Sequence, residues 1–220
     1  MARTISVRRS IVASAFVAMC LGVLVTQTFA QTVTQQSVQD DKAGPSLIYV
    51  PVTGGERVKW AVDGTLGATS IATGVFIASW NTAWNTPSEW GASWSGFGKR
   101  IGSRAAQMSI ANSIDAGLGA AWGEDPRYFP SGRSGIWTRA GYAAKTVFVA
   151  HRRSGRLAPA WARYAGAIGS NLVANTWLPP SSTTTSQSIR RIGNGFLGRF
   201  VGNMWNEFWP DVRGRLVKRE

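Results

Sequence analysis

The stretch ERVKWAVDGTLGATSIATGVFIASWNTAW, Glu56–Trp84, decides the fold class. Val58, Val62, Leu66, Thr69, Thr73, Phe76 and Trp80 recur at spacings of three and four, the period of one face of a helix rather than of a strand. The pattern predicts a long helix from about Glu56 to Trp84. The same period continues outward. A second helix from about Gly96 to Trp122 carries Ile101, Ala105, Met108, Ala111, Ile114 and Leu118. A third, from about Ile136 to Arg152, aligns Ala140, Ala144, Val147 and His151. A fourth runs from Pro159 to Trp177, before Pro179-Pro180. Ser186 or Ser188 can cap a fifth, Ile189 to Trp209, with Ile192, Phe196, Phe200 and Met204 on one side and Pro210 as its stop. The expected fold is all-α, a tightly packed bundle of about five glycine- and alanine-rich helices in one domain over 56–212. A basic tail, 213–220, follows.

The chain begins MARTISVRRSIVASAFVAMCLGVLVTQTFAQ. Arg3, Arg8 and Arg9 precede an apolar run from Ile11 to Val25, and Thr28 and Ala30 offer a small-residue cleavage site. That order is a secretory signal peptide over 1–30, so the protein is expected to be exported to the periplasm or to a membrane of the cell envelope. Cys20, the one cysteine, lies inside the apolar run, so the exported part has neither a disulfide nor a cysteine metal site. Residues 31–55 form a polar, flexible lead-in with one short extended piece, Ser46–Val52, ended by Pro51 and Gly54-Gly55.

The formal net charge is +13, of which the N-terminal arginines supply three. Outside the cytoplasm such an excess points to anionic lipid or acidic polymer rather than to nucleic acid. The helices also hold many small residues. Gly98 and Gly102, and again Gly198 and Gly202, form G-x-x-x-G, the spacing by which helices approach closely in membranes or in self-assembly. Tryptophans flank the apolar stretches: Trp60 and Trp80, Trp122, Trp137, Trp161 and Trp177, Trp205 and Trp209. From Trp60 to Trp80 a continuous helix would span about 30 Å, close to a bilayer core. Asp63, Arg104, Asp115, Lys145, Arg163 and Arg199 interrupt these helices and oppose a conventional multispanning reading.

Chemistry is limited by elimination. A single histidine, His151, excludes a multi-histidine zinc site, and its place near a helix C-terminus favours a dipole role. No P-loop, dinucleotide fingerprint or G-x-S-x-G elbow is present, so no cofactor or metal is expected. Carboxylates remain. Glu124 and Asp125 are adjacent and diverge if extended, so a catalytic pair would need Asp115 or Glu207 brought close. The stronger expectation is a polar latch. In GEDPRYFPSG, Gly123 suits the left-handed position after a helix, Pro126 prevents continuation, Arg127 can fork onto a carboxylate and Tyr128 can pack back. Arg199, Asn203, Glu207 and Asp211 share roughly one face of the last helix and are expected to meet that turn in an arginine–carboxylate network.

The segments ERVKWAVDGTLG, GLGAAWGEDPRYF, LAPAWARY, GSNLVANTW and FLGRFVGNMWNEFWPDV resemble a family of bacterial envelope proteins that carry export signals. The likeness covers about residues 56–212, with GEDPRYF and NEFWPDV its most specific parts. It implies export and a single domain, and it carries over no catalytic residue. The function expected from all of this is that of a non-enzymatic helical envelope protein, associated with a membrane or with itself. The alternatives are a soluble periplasmic scaffold that binds an acidic ligand and a hydrolase built on Glu124 or Asp125.

Overall fold

The computed structural model describes residues 49–217. The expected signal peptide, most of the expected lead-in and the end of the basic tail lie outside these residues. Six α-helices are described: α1 Gly54–Leu66, α2 Ala68–Ala83, α3 Trp94–Trp122, α4 Ile136–Phe148, α5 Trp161–Ala174 and α6 Thr185–Val217. A small antiparallel sheet, β1 Glu124–Asp125, β2 Val149–Arg152 and β3 Leu157–Pro159, lies between them in the order β1-β2-β3. The all-α expectation therefore holds. Where one domain over 56–212 was expected, the chain falls into two compact units, residues 72–101 and residues 50–71 with 102–217.

The expected first helix is two helices. Thr53 opens α1 with a capping box: its side chain accepts from the Glu56 backbone N–H, and its own N–H donates to Glu56 Oε2 at 2.8 Å. At Gly67 the backbone turns extended, with φ −62° and ψ 152°. A Cβ there would lie 2.2 Å from the Asp63 carbonyl oxygen, so only glycine fits the break. The uninterrupted helix from Trp60 to Trp80 does not form.

In the unit of residues 72–101, one arginine holds the turn from α2 into α3. Arg100 is buried. Its Nε donates to the Thr86 carbonyl at 2.7 Å, Nη2 to Pro87 at 2.9 Å and Nη1 to Gly91 at 2.8 Å. The outer face of α2 is an aromatic row, Phe76, Trp80 and Trp84 at helical i,i+4 spacing, with neighbouring ring centroids 6.5 and 5.8 Å apart.

In the larger unit, α4 and α5 both pack on α6. α5 meets α3 at Gly166, where a Cβ would stand 2.7 Å from the Ala111 carbonyl oxygen. α1 meets α3 at Gly64, where a Cβ would stand 2.9 Å from Asn112 Nδ2, and that amide donates to Thr65 Oγ1 at 3.0 Å. Close approach through glycine is therefore real at Gly64 and Gly166, but not at the two G-x-x-x-G pairs. Gly98, Gly102, Gly117, Gly198 and Gly202 have nothing within 4 Å of a Cβ position.

Several helix ends differ from the sequence reading. The third helix stops at Phe148, and Val149–Arg152 is strand β2, so His151 is not at a helix terminus but opposite Asp125 in the sheet. The run Thr146-Val147-Phe148-Val149, β-branched and aromatic residues, favours that switch. Helix α6 continues through Pro210, which lacks the N–H that would bond back one turn. Arg139 of α4 grips both sides of the proline. Its Nε donates to Glu207 Oε1 at 3.0 Å, and Nη1 pairs with Asp211.

The apolar stripe of the first predicted helix faces outward: Val58, Val62, Leu66, Phe76 and Trp80 are exposed. The inward faces of α1 and α2 carry Arg57, Gly74, Ala78 and Ser79. The buried apolar residues are Val147 and alanines, such as Ala143, Ala162 and Ala174, and the largest fully buried side chains are Glu124, Glu207 and Asp125.

Candidate functional site

The site that the sequence singles out is the interior of the larger unit. Helix α3 ends at Trp122, and Gly123, at φ +74°, reverses the chain into β1. The two strand residues then point apart, as adjacent residues in extended backbone must. Glu124 reaches the N-terminus of α5. Its Oε1 accepts from the Trp161 N–H at 3.2 Å and its Oε2 from the Ala162 N–H at 2.9 Å. The residue preceding α5 is Ala160, which has no side chain to cap the helix. A carboxylate 38 residues earlier in the chain supplies the missing cap, and the helix dipole favours its charge. Arg152 of β2 stands 3.1 Å from the same carboxylate.

Asp125 turns the other way. Arg127 returns its backbone N–H to Asp125 Oδ1 at 3.0 Å and its Nη2 to Oδ2 at 2.8 Å. The guanidinium then crosses to α1, with Nη1 3.2 Å from Glu56 Oε1 and Nη2 donating to the Val50 carbonyl at 2.8 Å. Phe129 lies under Arg127 and edge-on to His151, whose ring centroid is 5.0 Å away. Burial lowers the imidazole's pKa from its ordinary value of 6.5, against the pull of Asp125, so His151 is neutral at pH 7.

Asp115 sits inside α3. Arg199 of α6 donates to its Oδ2 at 3.2 Å, and Arg163 of α5 faces the same oxygen at 3.9 Å, an ion-pair distance too long for a hydrogen bond. Arg163 Nη1 also donates to the carbonyls of Thr146 and Val147, both at 2.8 Å. These are orphan acceptors at the C-terminal end of α4, where a cation is favoured. Burial, with Arg199 close by, pushes the Arg163 guanidinium down to about 9 against Asp115 and Glu124, and it stays protonated at neutral pH.

Glu207 closes the network from α6. Tyr128 Oη donates to its Oε2 at 2.6 Å, the Ser131 N–H to the same oxygen at 2.9 Å, and Arg139 to Oε1. Desolvation pushes this carboxyl up, but the bonds from Ser131, Tyr128 and Arg139 outweigh it and hold its pKa below the ordinary value. Burial and Glu207 together hold the Tyr128 hydroxyl well above its own ordinary range, as a donor. Asn203 Nδ2 donates to the Ala143 carbonyl at 3.1 Å and joins α6 to α4.

The structure thus brings Glu124, Asp125, Arg127 and Tyr128 into one region with Asp115, Arg199, Asn203 and Glu207, and links Asp211 to it through Arg139. The four carboxylates weighed as catalytic are each bound by a helix terminus, an arginine or a hydroxyl. Among these groups lies a void of about 10 Å³, lined by Arg163, Arg199, Asn203 and Thr146 among others, too small for a substrate. The arrangement joins α1, α3, α4, α5 and α6 and offers no open face for acid–base chemistry.

Sequence reasoning overlooked the central arginines. Arg163 was noted only as a charge that opposes a membrane span, Arg139 and Ser131 were not singled out, and neither was Arg191, which donates to Asn171 Oδ1 at 2.9 Å and ties α6 to α5. A lone arginine among alanine, glycine and aromatic residues, as in APAWARYAG, was the available signal, because such a charge must find acceptors inside. Comparison of the chain with protein-family models, with curated proteins and with solved structures finds no match.

Proposed function

We propose that the protein is a non-enzymatic helical component of the cell envelope, exported and held in a membrane, whose polar interior fixes how its helices meet. One observation carries the reading: the usual distribution of residues is inverted. Charged and amide groups fill the interior, while Val58, Leu66, Trp80, Trp137, Val201 and Trp205 lie outside, Trp137 at 88 % exposure. Water-soluble monomers rarely leave contiguous apolar patches beyond a few hundred Å² uncovered, and larger ones mark surfaces that something else covers. Lipid covers apolar side chains at no cost, and in its absence of water buried polar groups must satisfy each other, as they do here.

Gly54–Ala83 supports the reading. By length and composition these 30 residues are apolar enough to cross a membrane, as two helices joined at Gly67, and they are mostly exposed. Lys59 and Asp63, within it, pair with each other near one end, where long side chains reach headgroups. The basic excess suits anionic lipid or polymer.

A second reading, self-association, is favoured by Gly198 and Gly202, whose α6 face is open. A hydrolase is disfavoured by the engagement of Glu124, Asp125, Asp115 and Glu207. The deciding experiment washes envelopes in turn with high salt, alkaline carbonate and mild detergent. Release by detergent alone is expected, whereas release by salt would overturn insertion.

A further inference from the structure

The larger unit carries a second feature that the polar interior does not use. An open cleft of about 900 Å³ lies where the end of α3, the end of α4, α5 and α6 come together. Its wall is a run of touching rings. Trp161 meets Tyr164 edge-on at 5.7 Å, Tyr164 meets Phe196 at 5.9 Å, and Phe196 stacks on Phe148 at 5.6 Å. Trp122, Ala165, Ile168 and Ile192 complete the lining. The Tyr164 hydroxyl donates to the Phe148 carbonyl at 2.5 Å, and the surface of the wall is almost wholly apolar.

The one charged lining residue is Arg152. It opens the β2–β3 turn HRRSGRL, in which Arg153 and Arg156 are exposed, and it pairs with the Glu124 carboxylate. Arg152 Nη1 donates to the Trp122 carbonyl at 2.7 Å and its Nη2 faces Glu124, which leaves part of its fork of five N–H donors open to an acceptor. An apolar, aromatic cavity of ligand size with one cation at its edge has the chemistry of a site for a chain with an acidic head.

We propose that this cleft binds a long-chain fatty acid, with the hydrocarbon chain along the Trp161–Tyr164–Phe196–Phe148 wall and the carboxylate on Arg152. The occupant's buried part must be apolar because the wall exposes almost only carbon. Its head must be anionic, and the flat carboxylate matches the guanidinium fork. The assignment rests on the cleft alone and not on membrane insertion, so release of the protein by salt leaves it standing.

The test titrates dansyl-aminoundecanoic acid into the purified full chain in a neutral detergent and follows energy transfer from tryptophan. Saturation at one probe per chain is expected, with displacement by palmitate and about tenfold weaker displacement by methyl palmitate, the loss of one charge-assisted bond. Ala165→Trp, and independently Ile168→Trp at the half-exposed rim, should abolish saturable binding while helical circular dichroism is retained. Arg152→Gln should bring the acid and the ester to equal potency, a ratio that does not depend on the fraction folded. Non-saturable transfer that is the same in wild type and both tryptophan variants would overturn the proposal as detergent partition. Equal displacement by acid and ester in wild type would overturn the role of Arg152. Much stronger displacement by lysophosphatidate than by palmitate would overturn the choice of head.

Discussion

The Glu124 carboxylate accepts the Ala162 backbone N–H at 2.9 Å, so the turn after α3 caps the start of α5 from across the fold. Loss of this contact removes a cap, worth roughly 0.5–2 kcal/mol, and leaves Arg152 without its carboxylate. Glu124→Ala is expected to lower stability by about 2–4 kcal/mol, within the range for breaking a partly buried pair. Glu124→Gln should cost less, since its amide oxygen still accepts one N–H. Thermal unfolding checks the order, and faster hydrogen exchange at Trp161 and Ala162 in both variants locates the effect.

Arg127 joins Asp125, Glu56 and the Val50 carbonyl. Its removal leaves Asp125, 1 % exposed, without the guanidinium that neutralises it. Arg127→Ala should lower the melting temperature by several degrees, because about 1 kcal/mol moves a chain of this size by roughly 2–4 °C. Arg127→Lys should recover only part of the loss, since a point charge cannot serve all three acceptors. A melting temperature unchanged in Arg127→Ala would show that the strap carries no load.

The glycines divide into two classes with opposite expected effects. Gly166→Ala places a methyl 2.7 Å from the Ala111 carbonyl and must push α5 from α3, at about 1–3 kcal/mol. Gly198→Ala and Gly202→Ala meet nothing in the chain and should stabilise α6 by roughly 0.5–1 kcal/mol each. If α6 self-associates through that face, replacement of both by leucine lowers the mass measured by sedimentation in detergent. An unchanged mass rejects that interface.

Acid should loosen the α4–α6 contact. The folded pKa of Glu207 lies below its unfolded value of 4.5, so the unfolded chain takes up the proton first as pH falls. Stability from this group is complete above pH 4.5, declines below it and is gone once the folded carboxyl protonates. Tyr128 acts at the other limit. Its folded pKa is raised above the ordinary 10.0, so its contribution is present below pH 10 and lost as the unfolded tyrosine ionises above it. Glu207→Gln should flatten the acid limb of a stability–pH curve and shrink the alkaline limb to the part that burial of Tyr128 alone supplies.

Helix periodicity made the helices legible, and GEDPRYFPSG with its proline and glycines made the turn legible. Which residues face inward was not legible. A stripe of Val58, Val62, Leu66 and Phe76 has the same spacing whether it meets a protein core or another apolar surface, and only the depth of Arg57, Ser79 and Asp115 separates the two cases. The break at Gly67 was hidden because one glycine inside a helical pattern is usually tolerated. The cap by Glu124 was hidden because its partner is set by tertiary contact, not by local spacing. The strand at His151 lost to a helical alignment that seemed to continue from Val147, and Pro210 was read as a stop because Arg139, which holds both sides of it, is remote in the chain.

An interior of alanine and ion pairs also sets the shape of the unfolding curve. Hydration of newly exposed apolar area raises the heat capacity, while exposure of polar area lowers it. With Val147 the bulkiest enclosed hydrocarbon side chain and Glu124, Asp125 and Glu207 wholly buried beside it, the larger unit has little apolar area left to release. Calorimetry should give a heat-capacity increment below the usual ~12 cal/mol/K per residue. The stability curve would then be broad and flat, with cold denaturation pushed to lower temperature, and denaturant should act on it with a shallow slope.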